Sequence, residues 1–348
     1  MLSAKEKLEK FLAKIPDLAG VEFKQLTSDA STREYFRIYS KRTAIATVYP
    51  EPTDPQGQNY LDVTHLFETA GMPVAKIYDV DCELGIIVHQ DFGDTILRNV
   101  IETASPEKRE EWIDLAISMI AYIQLGTHFA YELNSIASRL SFDEEKLSWE
   151  LNFFKTHYFE TLKNTPLNEF DSKAVNAEFT ELSRELAGRA KVLTHRDFHA
   201  ANLMVDNTDG LHIIDHQDAR IGTVSYDLVS LLLDRVVEPP TAEWLAEKRR
   251  FFLKVRENIP AEIRGDVPFE ELDEEDFAYE FRLQTIQRCL KAVGTFSFQS
   301  VNRGKTYFLP FIEPMFRIVL RAAENLDRFP HLQRVLTEQV APPSRRLS

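Results

Sequence analysis

The feature that most limits the folds open to this chain is a change of hydrophobic period near residue 93. Upstream of it lie short runs rich in β-branched and aromatic residues, Tyr35–Tyr39 and Ala44–Val48 among them. Such runs have the composition of strands, and Ser40-Lys41-Arg42 between them reads as the turn of an antiparallel pair. Two further strands are expected at 75–80 and 84–89. Helices are expected at 3–14, where Leu8, Phe11, Leu12 and Ile15 keep helical spacing until Pro16, and near 58–70, ended by Gly71 and Pro73. Downstream of residue 93 the period becomes helical: Trp112, Leu115, Ala116, Met119, Ile120 and Ile123 form one stripe on a long helix. Further helices are expected near 143–162, 171–190, 226–236, 241–257, 273–299 and 310–326, interrupted only by short strands within 191–215. The pattern predicts an α+β chain of two lobes, a small antiparallel sheet over 1–93 and a mainly helical lobe over 94–348.

A length of 348 residues suits two lobes that each bury a core. The composition, 44% hydrophobic and 28% charged, is that of a globular protein, with fraying expected only at ends such as Pro342–Arg346. A net charge of -14 opposes nucleic-acid binding, which relies on Lys and Arg to neutralise phosphates. Cys82 and Cys289 stand far apart without metal-ligand spacing, so neither zinc nor a disulfide framework is expected. The N-terminus is charged where an export signal needs an apolar run, and Tyr307–Leu320 is broken by Pro310, Glu313, Pro314 and Arg317 before reaching the ~20 apolar residues of a membrane span. The expectation is a cytoplasmic monomer with no membrane partner.

The segment that carries chemistry runs from Val192 to Asp215: a strand, the polar loop His195-Arg196-Asp197-Phe198-His199-Ala200-Ala201-Asn202, a second strand, a turn at 206–210, a third strand and an acid. Phosphoryl transfer asks a protein for a carboxylate that orients the acceptor hydroxyl and for metal ligands that hold the nucleotide phosphates. Asp197 supplies the first, as catalytic base. Asn202 offers a neutral oxygen and Asp215 an anionic one, the donors that hard Mg2+ prefers. The step from Asp197 to Asn202 matches the kinase loop H-R-D-x-x-x-x-N.

These residues resemble the catalytic loop of the aminoglycoside phosphotransferase and choline kinase superfamily, and Ile214-Asp215-His216-Gln217-Asp218-Ala219 is similar to its Ile-Asp-x-x-x-Ala stretch. The resemblance implies a bilobal protein-kinase-like fold using ATP and Mg2+. The nucleotide would lie in the N-terminal lobe, the catalytic loop and acceptor pocket in the C-terminal one. Asp227 resembles the superfamily's structural acid that ties the next helix to the catalytic loop; a plain charge at a helix N-terminus accounts for it equally. His199 either lines the substrate pocket or has a local structural role.

The N-terminal lobe departs from the kinase pattern. Ser28 to Arg37 occupies the hairpin expected to hold phosphates but has no glycine; Ser28, Ala30 and Ser31 can still present N–H groups and hydroxyls to an anion. The strand Ala44–Val48 lacks the usual phosphate-binding lysine, leaving Arg33 or Arg37 as the substitute cation, and Asp62 or Glu68 could occupy the place of the helix acid that pairs with it. The strand ending at His89 and running into Asp91 reads as the interlobe hinge beside adenine.

Three segments, Asp29–Arg37, His195–Asp234 and Thr285–Phe296 continuing to Lys305, together look like those of bacterial N-acetylmuramate/N-acetylglucosamine anomeric kinases. That resemblance implies an amino-sugar acceptor phosphorylated at C1 during cell-wall recycling, with Arg288 and Lys291, and beyond them Arg303 and Lys305, as cations for a substrate carboxylate. Two other readings stay open. An aminoglycoside, choline or homoserine kinase would use the same loop, and the acids at Glu271 and 273–276 would suit a cationic acceptor. A non-catalytic nucleotide-binding protein would explain the missing lysine.

Overall fold

The computed structural model describes residues 2–26, 33–54, 58–264 and 272–340. Ser28, Ala30 and Ser31, together with Glu271 and the tail from 341, lie outside the described residues. In chain order the elements are α1 (Ala4–Ala13), β1 (Phe23–Leu26), β2 (Glu34–Tyr39), β3 (Thr43–Val48), α2 (Asn59–Thr69), β4 (Ile77–Asp81), β5 (Ile86–Gln90), α3 (Leu97–Thr103) and α4 (Pro106–Glu132). There follow α5 (Ile136–Arg139), α6 (Glu144–Lys155), α7 (Glu169–Gly188), β6 (Val192–Thr194), β7 (Leu203–Val205), β8 (Leu211–Ile213) and β9 (Arg220–Gly222). The chain closes with α8 (Tyr226–Leu232), α9 (Ala242–Glu257), α10 (Ala261–Arg264), α11 (Glu274–Asn302), α12 (Ile312–Leu326) and α13 (Pro330–Thr337). Two compact units result: Met1–Arg109 with Ala200–Asp218, and Glu110–His199 with Ala219–Ser348.

In the first unit the antiparallel sheet has the order β1-β2-β3-β5-β4. Side chains alternate across it. Phe36, Ile38, Ala44, Ala46, Val48, Ile86 and Val88 turn to one face, where Leu8, Phe11 and Leu12 of α1 cover them. At about 1.5–3 kcal/mol for each large apolar side chain buried, this cluster holds α1 to the sheet. Ser3 and Glu6 form a capping box that starts α1. The helix α2 ends as its sequence demands: Gly71 takes a φ of +74°, Met72 N–H reaches Phe67 O at 2.8 Å and Gly71 N–H reaches Glu68 O at 3.0 Å, a Schellman closure. The hairpin β7–β8 belongs to this unit, with Ile213 N–H on Pro73 O and Val205 N–H on Thr95 O, both at 2.8 Å.

The second unit is helical around α11. Gly294 of α11 is a crossing point: a Cβ there would stand 2.8 Å from Phe154 Cα, so the hydrogen lets the α6 backbone approach. After α6 the chain runs directly into a π-helical stretch, Thr156–Leu162, that seats Tyr158 and Phe159 in the core. The stripe expected on α4 holds at Trp112, Ala116, Met119, Ile120 and Ile123 but not at Leu115, which is 43% exposed. Leu115 is one position off the seam, as a 3.6-residue period allows at the edge of a stripe. By length and composition α4 could cross a membrane, but its apolar positions are largely buried inside the protein, as in a core helix.

Candidate active-site residues

In the first unit, the sheet face opposite α1 borders a cavity of about 320 Å³. Strand alternation puts Arg33, Tyr35 and Arg37 on the same side, and the cross-strand partners Thr47 and Ile45 follow, with His89 opposite Ile45. Asp91, expected at a hinge, and the two expected metal ligands Asn202 and Asp215 complete the wall. The last two meet through the hairpin register. Leu203 pairs with Ile213, so Asn202 and Asp215 both leave its open end, and Ile214 N–H donates to Asn202 O at 3.1 Å.

Asp215 has a φ of +63°, a left-handed conformation uncommon outside glycine, which turns its half-exposed carboxylate from the strand line. Its oxygen accepts a hydrogen bond from Gln217 at 2.8 Å and lies 3.9 Å from the Arg33 guanidinium. The next residue is an anchor that sequence reading missed: His216 is fully buried, its Nε2 2.7 Å from Thr64 Oγ1, with the rings of Tyr60 and Phe67 against it. The part of α2 that approaches Asp215 is therefore Thr64 and Tyr60. Glu68 is exposed, and neither it nor Asp62 lines the cavity, so neither stands where a phosphate-lysine partner would.

The two arginines differ in their surroundings. Arg37 Nε lies 2.7 Å from Asp91 and its fork also meets Asp94 at 2.9 Å and Gly93 O at 3.1 Å. Asp91 is nearly buried and accepts from Gly93 N–H as well, so this set fastens β2 to the segment that follows β5. Arg33 is the guanidinium near Asp215, resting by the rings of Tyr35 and Tyr49. His89 Nε2 lies 3.1 Å from Thr47 Oγ1, and burial lowers the ring's pKa to about 4, so it is neutral at pH 7.

In the second unit the loop after β6 carries Asp197. Lys291 Nζ is 2.9 Å and Arg288 Nη2 3.3 Å from its Oδ1, with Arg196 Nε 3.7 Å from the other oxygen. Burial opposes the charge, but Lys291, Arg288 and Arg196 outweigh it and hold Asp197 well below the usual carboxylate range. Arg288 is steadied by Ser230 Oγ at 2.8 Å. Thus the two cations expected at the substrate stand on the carboxylate expected to be the base. Arg303 is apart from them, exposed beyond α11 with its guanidinium 5.9 Å from the Phe298 ring centre. His199 donates its backbone N–H to Asp197 O at 3.0 Å, and burial takes its imidazole down to about 4.

Asp227 proves to be the tie. It is fully buried, and its two oxygens accept the backbone N–H groups of His195 at 2.7 Å and Arg196 at 3.1 Å. Those bonds fix a loop in which Arg196 has a φ of +84°. Burial pushes the Asp227 carboxyl up to about 7 while the two N–H groups pull the other way. The acids once open to a cationic acceptor have other duties: Asp273 caps α11, Asp276 pairs with Arg189 at 2.9 Å, and Glu274 faces Arg250 at 3.7 Å.

Among the described residues no cluster of three or more His, Cys, Asp or Glu could hold a metal by protein ligands alone. Asn202 and Asp215 nonetheless fit Mg2+, which commonly takes only one or two protein oxygens and fills its shell with water and phosphate oxygens.

The family described as "Phosphotransferase enzyme family" matches residues 22–265. An N-acetylmuramate/N-acetylglucosamine kinase of Neisseria meningitidis is 28% identical over 319 residues, 90% of this chain and 89% of that protein. One of Pseudomonas aeruginosa is 26% identical over 311 residues, 89% of this chain and 86% of that protein. Among solved structures, the choline kinase LicA from Streptococcus pneumoniae superposes with a TM-score of 0.56 at 14% identity, over 90% of this chain and 98% of that one. An aminoglycoside phosphotransferase APH(4)-Ia, in ternary complex with AMP-PNP and hygromycin B, gives 0.54 at 16% identity, over 91% and 99%. The fold is that of these kinases, and the chain belongs to the phosphotransferase enzyme family as an enzyme that phosphorylates a hydroxyl group.

Proposed function

We propose that this protein transfers the γ-phosphoryl group of ATP to the anomeric hydroxyl of N-acetylmuramate or N-acetylglucosamine, as a step in cell-wall recycling. The observation that carries the substrate is the likeness, over 90% of the chain, to a kinase of that name. The chemistry rests on Asp197. Its carboxylate is ionised at any working pH, so it accepts a hydrogen bond from the C1 hydroxyl and aims that oxygen at the γ-phosphorus. The new O–P bond forms as the bond to the β-phosphate oxygen breaks, ADP leaves, and the hydroxyl proton passes to Asp197. A carboxylate of such low basicity takes that proton late, when bond formation has made it acidic. Lys291 keeps N–H donors beyond the one on Asp197, available to the transferring group or to a lactyl carboxylate.

Asn202 and Asp215 would hold Mg2+, which neutralises nucleotide phosphate charge. Arg33, near Asp215, is the favoured substitute for the absent lysine, and the cavity walled by His89 and the hinge is the nucleotide's place. The employment of Asp273, Glu274 and Asp276 in a cap and ion pairs argues against an aminoglycoside acceptor. The test is an ADP-release assay with both sugars and with kanamycin-type acceptors, followed by phosphorus NMR of the product. Turnover with both sugars and a C1 phosphate is expected. Turnover on aminoglycosides alone, phosphate at C6, or no turnover with any acceptor would refute the reading.

A further inference from the structure

The second unit contains another cavity, of about 350 Å³, walled by α9, α11 and α12. Three arginines line it, one from each helix: Arg249, Arg282 and Arg321. No residue of the catalytic loop takes part, and the acid on its wall is the exposed Glu243. The arginines are half-buried, and among the described residues neither Arg249 nor Arg282 forms an ion pair. Arg321 Nη2 is buried without a hydrogen-bond partner among them. A buried guanidinium nitrogen left without an acceptor costs about 1–3 kcal/mol or more, so this one takes its acceptor from the cavity it borders, from water or from a ligand. Arg249 has its guanidinium 5.2 Å from the Phe281 ring centre, and burial together with Arg282 and Arg250 lowers its pKa to about 10 against the opposing pull of Glu274.

We propose that this cavity is a second ligand site, for a phosphomonoester carried on a sugar-sized body. Three guanidiniums facing one carboxylate leave two positive charges, matching a dianion better than a single carboxylate. Leu245, Phe281 and Ile318 offer the apolar wall against which a ring stacks, and the volume is in the range of small-ligand pockets. This inference is independent of the acceptor assigned above, because it is read by binding and not by turnover.

The probe is glucose 1-phosphate, titrated calorimetrically into the full chain with its nucleotide cavity saturated by ADP, beside glucose and inorganic phosphate. Glucose 1-phosphate should bind, glucose should not, and inorganic phosphate should bind more weakly. Arg282→Gln and Arg321→Gln should each weaken binding about tenfold. Ala246→Glu, which sets a carboxylate among the arginines without removing one, should do the same, and denaturant midpoints establish that the variants fold. kcat at saturating substrates should be unchanged in Arg282→Gln. Absence of glucose 1-phosphate binding at about 10 mM, or equal affinity in wild type and all three folded variants, overturns the site. Equal affinity for inorganic phosphate and glucose 1-phosphate overturns its sugar-sized part.

Discussion

Asp227→Asn separates two accounts of one residue. If Asp227 served only the dipole of α8, neutralising it would cost the 0.3–1 kcal/mol typical of a charge at a helix N-terminus. The structure calls for more. Each carboxylate oxygen accepts one backbone N–H, from His195 and Arg196, in a fully buried setting. An asparagine of the same shape keeps one acceptor and must point an NH2 at the other N–H, leaving a buried donor unmet at about 1–3 kcal/mol. Asp227→Ala strands both and should cost about 2–6 kcal/mol. Urea unfolding of the two variants at pH 8 is the assay: neither carries the charge whose burial costs the wild type stability there, so their difference, about 1–3 kcal/mol with Asp227→Ala the weaker, reads the additional N–H left unmet. Its pH dependence has a definite sign. The folded pKa, about 7, lies above the unfolded value, so this group's contribution is fully present below about pH 4 and declines as pH rises to 7. Because Asp197 sits one residue beyond the tethered N–H groups, kcat should also fall about tenfold or more in Asp227→Asn. Equal stability of Asp227→Asn and Asp227→Ala, with kcat unchanged in both, would refute the tether.

Asp197→Asn should lower kcat at least ~10²-fold with nucleotide affinity unchanged, and a folded variant of near-normal turnover would remove Asp197 as base. Arg33→Ala should reduce kcat/KM for ATP about tenfold or more, whereas Arg37→Ala should chiefly lower the unfolding midpoint; the reverse pattern would exchange their roles. Gly294→Ala should destabilise by about 1–3 kcal/mol in urea, since the Cβ meets Phe154 backbone that cannot step aside. His89 has a folded pKa of about 4, so its neutral form contributes stability that is lost as pH falls from about 6.5 toward 4. His89→Gln should shrink the stability difference between about pH 7 and pH 5 by about 2 kcal/mol, and an unchanged difference would contradict the burial assigned to that ring.

Local rules made much of this molecule legible. Runs rich in β-branched and aromatic residues located β2, β3 and β5, period-3.6 stripes located the long helices, and the loop spacing singled out Asp197, Asn202 and Asp215 as candidates. What stayed ambiguous depended on partners distant in sequence. Arg33 and Arg37 share one strand face, so alternation cannot tell them apart; the ion pairs of Arg37 with Asp91 and Asp94, far along the chain, distinguish their surroundings. Asp227 could not be told from an ordinary helix-start acid because the donors that define it lie 31 and 32 residues upstream. The Thr64–His216 bond spans 152 residues and leaves no local signature. The π-helical turn after α6 continued the same apolar stripe, so its extra residue was invisible to periodicity.

The return of the β7–β8 hairpin to the first unit sets a timetable for synthesis. Pro73 and Thr95 leave the ribosome early, yet the strands that use their carbonyls are encoded after residue 199. At about 5–20 residues per second, translating the intervening stretch from 110 to 199 takes roughly 5–20 s. Throughout that interval the nascent first unit must wait with those carbonyls unclaimed by their native partners. A gene cut after residue 109 would yield a fragment lacking Asn202 and Asp215, so a division at that point separates these two residues from the sheet with which they line one cavity.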